Sequence, residues 1–557
     1  MKKTISVFLA VFLLFTLVSC KKEEEHVHEY VMTEHEADCE NDGYKEYICA
    51  CGDSYTEKTD DKTGHLYFWT LSSDDGETVF ETGKCVRCEK TIDKQSVKNK
   101  YDYLTADTDY FTFTISRLPE YADEYCEGDA VAEYTGLFVD AERKVGSLMN
   151  YEYSALAETL KAAAEKLEYK KGNVTRIYIS SSDGITDAGY VSCKIAVVPS
   201  SKNETGFFYD GSSKIKVRGN STALADKKGY NFKLSEKQDL FGFGKAKKWA
   251  LLANAYDKTL IRNKIALDLE REMGMEYASQ STVAEVWING KFLGSFQLCE
   301  SVEVGKDRVD IDVSKGDALL EVESQRTESG VKYITAAESG IRFAVNDPED
   351  ISDDGKILLN AKLNAVDSAI LSGDINEIKK VIDVDSFAKF YVFSEFVKQV
   401  DFSYSSTRFY FKDGILYAGP GWDFDLSSGN VGDGYAEYSE YNNGGSGSSG
   451  LWIAKFPWYE KLLECKEFRN LVKDAYKKFR PTLENVYKNN EKGQSRINFL
   501  LSEYKSSYLR NYSSTGWSLN TDTSYGKILD SDYDGYVSYL KNWFSERLEF
   551  LDGIYGK

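Results

Sequence analysis

Histidine is almost missing from this chain: there are 4 in 557 residues, and none beyond His65. That absence excludes a Ser-His-Asp or Cys-His mechanism in the long body that follows. Basic charge is also in short supply. The net charge is −21 and the pI near 4.9, which argues against general nucleic-acid binding. Only 6 prolines are present, so little of the chain is held as stiff extended linker. After residue 18 no long apolar run occurs, so no membrane span is expected there. What is abundant is aromatic: Phe, Trp and Tyr make up 14% of the residues, ample for a large core.

The first twenty residues read as a targeting signal. Lys2 and Lys3 precede an apolar stretch from Ile5 to Val18, too short for a comfortable span. It ends in Leu17-Val-Ser-Cys20, which resembles a bacterial lipobox. The resemblance implies cleavage before Cys20, a lipid on its sulfur and an exported protein held at the extracellular face of the cell membrane. An ordinary secretory signal is the other reading. Residues 21–98 follow as a Cys/His-rich module carrying Cys39, Cys49, Cys51, Cys85 and Cys88. Two thiolate knuckles, Cys49-Ala-Cys51 and Cys85-Val-Arg-Cys88, resemble a zinc ribbon, in which four N or S ligands close one tetrahedral site. Disulfides are the alternative in an oxidising compartment.

Residues 99–171 read as a small α+β spacer, with a strand at Tyr110–Ile115 and a helix over Tyr153–Tyr169. From 172 the chain becomes a large α+β body. Val174–Ser180 and Tyr190–Val198 are expected to pair antiparallel, as are the runs flanking Asn289-Gly290 and Asp413-Gly414. A helix is expected at 260–273, capped by Asp257 or Thr259 and ended by Gly274. Between Lys214 and Lys264 there are thirteen Lys and Arg against four acids. Such a basic island in an acidic protein suits a small polyanion such as a nucleoside triphosphate, or an acidic partner. Asp423 and Asp425 flank Phe424 after a Gly-Pro-Gly turn, and Asp401 ends a helical segment upstream. Carboxylates of this kind suit a hard divalent cation. The Gly/Ser-rich run at 442–450 is a surface loop or a lid.

Taken together, Arg218-Gly-Asn-Ser221, Lys228-Gly-Tyr-Asn-Phe-Lys-Leu234, Lys245–Asn254, Asp257–Asn263, Val286-Trp-Ile-Asn-Gly290, Arg308-Val-Asp-Ile311 and Trp422–Ser427 resemble the CotH kinase family, over roughly 172–557. The chain departs from the family at Ala223–Tyr230, where the family tends towards Trp and Lys-Lys-Pro-Tyr. The resemblance implies a divergent, atypical protein-kinase-like fold. It also implies transfer of the ATP γ-phosphoryl group to Ser or Thr of a surface protein, with Mg2+, Mn2+ or Ca2+. By position, Asp401 resembles the catalytic acid, and Asp423 and Asp425 the metal ligands. Arg218, Asn220, Lys228 and Lys233 lie where the family contacts phosphates. Glu300 is the candidate for orienting a lysine or only closes the hairpin end, Lys228 is alternatively an outer-surface lysine, and Trp422, like Trp249, either stacks on adenine or belongs to the core. A non-catalytic surface scaffold, or transfer to a cell-surface glycan, are the other functions considered.

Overall fold

The computed structural model describes residues 27–97 apart from 66, 75–77 and 86. It describes scattered residues between 126 and 169, and 174–556 apart from 199, 201–207, 220, 290, 433–446 and 521–524. Cys20, Asn220, the strand expected at 110–115 and most of the helix expected at 153–169 lie outside the described residues. No described helix is long and apolar enough to cross a membrane. The chain divides into two compact units, Met1–Asp107 with Ser147–Glu152, and Thr108–Gly146 with Tyr153–Lys557.

The smaller unit holds two three-stranded antiparallel sheets. The first is β1 (Tyr30–His35), β2 (Gly43–Cys49) and β3 (Ser54–Asp60); the second is β4 (Tyr67–Asp74), β5 (Thr78–Cys85) and β6 (Thr91–Val97). The five cysteines do not gather into one ribbon site. They fall into two groups, Cys39, His65, Cys85, Cys88 and His28, Cys49, Cys51, each with its ligand atoms within 4.8 Å of one another.

The larger unit mixes helix and sheet. It opens with short strands β7 (Cys126–Glu127) and β8 (Glu168–Tyr169) and a helix α1 (Ala130–Lys144). Then β9 (Thr175–Ser180), β10 (Val191–Val198), β11 (Phe208–Arg218), β12 (Gly229–Asp239) and β13 (Lys245–Leu252) run antiparallel in sequence. After α2 (Arg262–Glu272) comes the hairpin β14 (Ser281–Ile288) and β15 (Lys291–Glu300), with Asn289 at φ 50° in its turn. The sheet does not stay open. β15 pairs with β13 and β14 pairs in parallel with β9, closing a seven-stranded barrel. Closure removes both sheet edges.

Alternation along these strands sorts the side chains. Ile215, Phe232 and Trp249 lie in one cross-strand row and fill the barrel with Ile177, Ile195 and Leu298. One residue along, Lys214, Lys233 and Lys248 form the next row on the outer face. Trp249 is fully buried, with the Arg308 guanidinium 4.9 Å from its ring centroid, so it belongs to the barrel core and not to a stacking platform.

Beyond the barrel, β16 (Ala318–Val322), β17 (Lys332–Thr335), β18 (Arg342–Asp347), β19 (Arg408–Lys412) and β20 (Ile415–Ala418) form an antiparallel five-stranded sheet in the order β17-β18-β16-β19-β20. Helices α3 (Asp353–Ser372), α4 (Ile375–Ile378), α5 (Val384–Val397), α6 (Pro457–Glu464), α7 (Lys466–Glu484), α8 (Arg496–Ser513) and α9 (Tyr533–Tyr555) complete the unit. One continuous core joins this sheet, the helices and outward-facing barrel residues such as Ala250, Leu252 and Cys299. The helix expected at 260–273 forms as α2 with Ile261 as its N-cap. Asp257 still serves its first turn, accepting from the Arg262 N–H at 2.8 Å, and Gly274 at φ 71° follows its end.

A buried ion pair locks α9 against α5. Arg547 donates to Glu395 Oε2 at 2.7 Å and to the Glu395 carbonyl, and both side chains are almost fully buried. The same guanidinium donates to the carbonyls of Ser448 and Gly450. Arg547→Leu leaves Glu395 uncompensated in the interior. It is expected to cost about 3–5 kcal/mol, read as a lower urea midpoint.

Candidate functional site

The loop after β20 is positioned residue by residue. The Gly421 N–H donates to Glu270 Oε1 on α2 at 2.7 Å, and Gln399 Nε2 donates to the Trp422 carbonyl at 3.0 Å. The Phe424 N–H donates to Asn263 Oδ1, again on α2, at 2.7 Å, and Asn263 is held in turn by Asn254. Asn430 Nδ2 donates to the Asp425 carbonyl at 2.6 Å. Phe424 is fully buried and meets Phe393 of α5 edge-on, 5.4 Å between centroids. Anchoring this ring fixes the backbone between the two aspartates. Asp423 sits at φ 65°, a left-handed conformation that Asp tolerates better than most residues. At Gly421 an added Cβ would come within 2.6 Å of Phe424 Cζ, so the turn needs glycine.

Asp423 and Asp425 are electrostatically strained. Burial raises both carboxyls above the ordinary range. Asp425 is pushed well up, first by burial and then by Asp423, Asp401 and Asp257. The sequence therefore named three acids that do share one field. They do not form a ready-made cage. Among the described residues, the only groups of three or more His, Cys, Asp or Glu with ligand atoms within 4.8 Å are the two in the smaller unit. A pair of carboxylates that leaves positions open is nevertheless the donor set that Mg2+ takes when substrate phosphates supply other oxygens. Excess buried negative charge is what such a cation relieves.

Against the acids stand arginines. Arg218, Arg408 and Arg326 each draw the Asp423 carboxyl back down, opposing its burial. The Arg218 and Arg408 guanidiniums lie 5.2 and 5.6 Å from the Trp422 ring centroid. Trp422 is only 6% exposed, so it buttresses these cations and offers no open face to an adenine. Arg218 crosses the barrel strand over Gly229, where a Cβ would meet its Cγ at 3.1 Å. Arg408 Nη2 pairs with Glu321 at 3.1 Å, but its Nε and Nη1 are buried without a hydrogen-bond partner among the described residues, as is Arg326 Nη1. Buried donors left unpaired are costly, and an anion's oxygens would satisfy them.

The remaining candidates are placed differently. Lys228 Nζ donates to the Ala223 carbonyl at 2.7 Å and holds the 223–225 turn. Lys233 is exposed on the outer barrel face between Lys214 and Lys248. Glu300 is paired with Arg308 at the barrel end, and its Oε2 accepts from the Gln280 N–H, so its cationic partner is an arginine and not a lysine. Arg408 and Arg326 were missed in the sequence. The available signal was a cation opening a strand whose next three residues are aromatic, Arg408-Phe-Tyr-Phe411. The end of the Gly/Ser run is tied down, since Lys398 Nζ donates to the carbonyls of Gly447 and Ser449 at 2.7 and 2.8 Å.

Glu270 connects the loop to pH. Burial pushes its carboxyl up to about 7, against the pull of the Gly421 N–H and Arg408. A carboxyl raised in the fold binds its proton more tightly there than in the unfolded chain. Its contribution is therefore present below about pH 4.5 and is lost as pH rises through about 7. Glu270→Gln keeps an acceptor for Gly421. It is expected to match wild type in unfolding free energy near pH 4.5 and to exceed it increasingly towards pH 8, by up to about 3 kcal/mol.

The family model described as CotH kinase protein matches residues 215–551, a span holding all three acids and all three arginines of this site. No curated protein matches the chain.

Proposed function

Since the chain belongs to the CotH kinase family, we propose that it is an exported, lipid-anchored kinase. It would transfer the γ-phosphoryl group of ATP to Ser or Thr hydroxyls of surface proteins. The observation that carries this reading is the placing of half-buried Asp423 and buried Asp425, both with raised carboxyls, near Arg408 and Arg326, whose guanidiniums have buried donors without a hydrogen-bond partner among the described residues. Phosphoryl transfer needs positioning and charge stabilisation more than covalent help from the protein, and no histidine.

In this assignment Asp423 and Asp425 hold a divalent cation, which when bound neutralises charge on the phosphate oxygens. Arg218, Arg408 and Arg326 take the triphosphate; of the residues the family resemblance placed there, Arg218, Asn220, Lys228 and Lys233, only Arg218 keeps the role in this assignment. Asp401 accepts the hydrogen bond of the acceptor hydroxyl and orients it for in-line attack. The loop that carries the two aspartates is fixed from behind by Glu270, Asn263 and Gln399.

The test is transfer of label from γ-labelled ATP to a Ser-rich acceptor by the full chain, with Mg2+ or Mn2+. Wild type is expected to transfer, and Asp401→Ala and Asp423→Ala to lose at least about a hundredfold. Arg408→Met is expected to raise the KM for ATP more than it lowers kcat. Product mass separates the chemistries, since a phosphoryl group adds about 80 Da and an adenylyl group about 329 Da. Cation-dependent ATP binding without any transfer would replace the kinase reading with that of a binding scaffold.

A further inference from the structure

The smaller unit contains a duplication that the cysteine spacing conceals. His28 is followed by Tyr30, and His65 by Tyr67, and each histidine ring lies against its tyrosine, 5.5 and 5.4 Å between centroids. Tyr30 pairs across the sheet with Cys49, and Tyr67 pairs with Cys85 in the same register. The two knuckles close alike. The Cys49 N–H donates to the Asp53 carbonyl, and the Cys85 N–H to the Lys90 carbonyl, both at 2.8 Å. The second turn is one residue longer, which is the difference between Cys-x-Cys and Cys-x-x-Cys. In both copies the last cysteine of the knuckle meets the histidine 23 residues before it. Cys51 Sγ is 3.3 Å from His28 Nδ1, and Cys88 Sγ is 3.2 Å from His65 Nδ1.

These separations suit a metal rather than disulfides. Cys39 Sγ and Cys85 Sγ are 3.7 Å apart. A disulfide brings two sulfurs to about 2.05 Å. A tetrahedral zinc with Zn–S near 2.3 Å holds them about 3.75 Å apart, and holds sulfur about 3.5 Å from nitrogen. His65 is also prepared as a ligand: its Nε2 lies 3.2 Å from Glu40 Oε1, which fixes the ring and leaves Nδ1 for the ion.

The copies differ in one respect. Cys39 comes from the loop between β1 and β2, in the first copy, yet it stands with His65, Cys85 and Cys88 of the second. The Thr63 N–H donates to the Asp38 carbonyl at 2.8 Å, and Arg87 donates to the Gly64 carbonyl at 3.0 Å, binding the three ligand segments together. The second group is thus a four-ligand Cys3His set with Cys39 and Cys85 buried. The first has three ligands among the described residues, and its histidine side chain is 41% exposed against 18% for His65. Between Tyr67 and Cys85 the second copy has no cysteine of its own to hand on.

We infer that residues 27–97 are two tandem copies of one metal-binding unit, carrying two zinc ions of unequal character. The second ion is enclosed and structural, and Cys39 staples the copies by completing its shell. The first ion, with three ligands among the described residues and a more exposed histidine, exchanges faster. This replaces the single zinc-ribbon site expected from the sequence, and it stands apart from the kinase reading.

The test is zinc content of the full chain, purified with reductant, and the time course of zinc release to a chelator. Wild type is expected to hold two ions and to release one fast and one slowly. Cys51→Ser should hold one ion and lose the fast phase, while Cys39→Ser should hold one and lose the slow phase. Cys39→His, which keeps a ligand, should hold both. Two ions in Cys39→Ser, loss of both ions from Cys39→Ser and Cys51→Ser alike, or a metal-free wild type with these cysteines joined as disulfides would each overturn the inference.

Discussion

Buried Asp425 beside half-buried Asp423, in the field of Asp401 and Asp257, is the constraint on which the loop of the larger unit depends. Asp423 and Asp425 would each be more stable in water or protonated, since burial alone raises both. They stay in place because the loop that carries them has no freedom. Phe424 is anchored in the core and the backbone on either side is held by Glu270, Asn263 and Gln399. The energy for this comes from the core that joins α2, α5 and the five-stranded sheet. A stable body supporting a strained polar site is the usual arrangement where binding energy is to be used on a ligand.

The barrel supplies the other half of the charge. Its strands put Ile215, Phe232 and Trp249 inside, which leaves the alternate positions of β11 and β12 on the outer face. Arg218 ends one of these outward rows and reaches Trp422 across Gly229. Arg408 reaches the same ring from the five-stranded sheet. The indole therefore offers its ring to both cations beside the acids.

Much of this was legible in the chain. The hairpins at Asn289 and Asp413, the helix after Asp257 and the grouping of Asp401, Asp423 and Asp425 follow from local turn chemistry and acid spacing. Barrel closure does not, because the pair that closes it joins β9 to β14, more than a hundred residues later, in parallel. Local patterns carry no information about such a pairing. The arginines were hidden for a related reason: Arg326 and Arg408 come near Asp423 only through the packing of segments distant in the chain. Glu300 closes the hairpin end, one of its two readings, and its partner Arg308 was not legible because it lies beyond the hairpin in a turn with no pattern of its own. The tandem repeat was masked by a single inserted residue in the second knuckle and by a cysteine that serves its neighbour's site.

The central claim is that the acid pair is charge-strained until a cation arrives. Thermal unfolding of the full chain with and without Mg2+ tests it most directly, comparing wild type with Asp425→Asn. Asp425→Asn is expected to be the more stable protein without Mg2+, since the cost of burying that carboxyl is gone. Mg2+ should then raise the Tm of wild type and leave the variant unmoved. If Mg2+ moves neither protein, or if Asp425→Asn is the less stable of the two without it, the carboxylates are satisfied by the protein alone and the account fails.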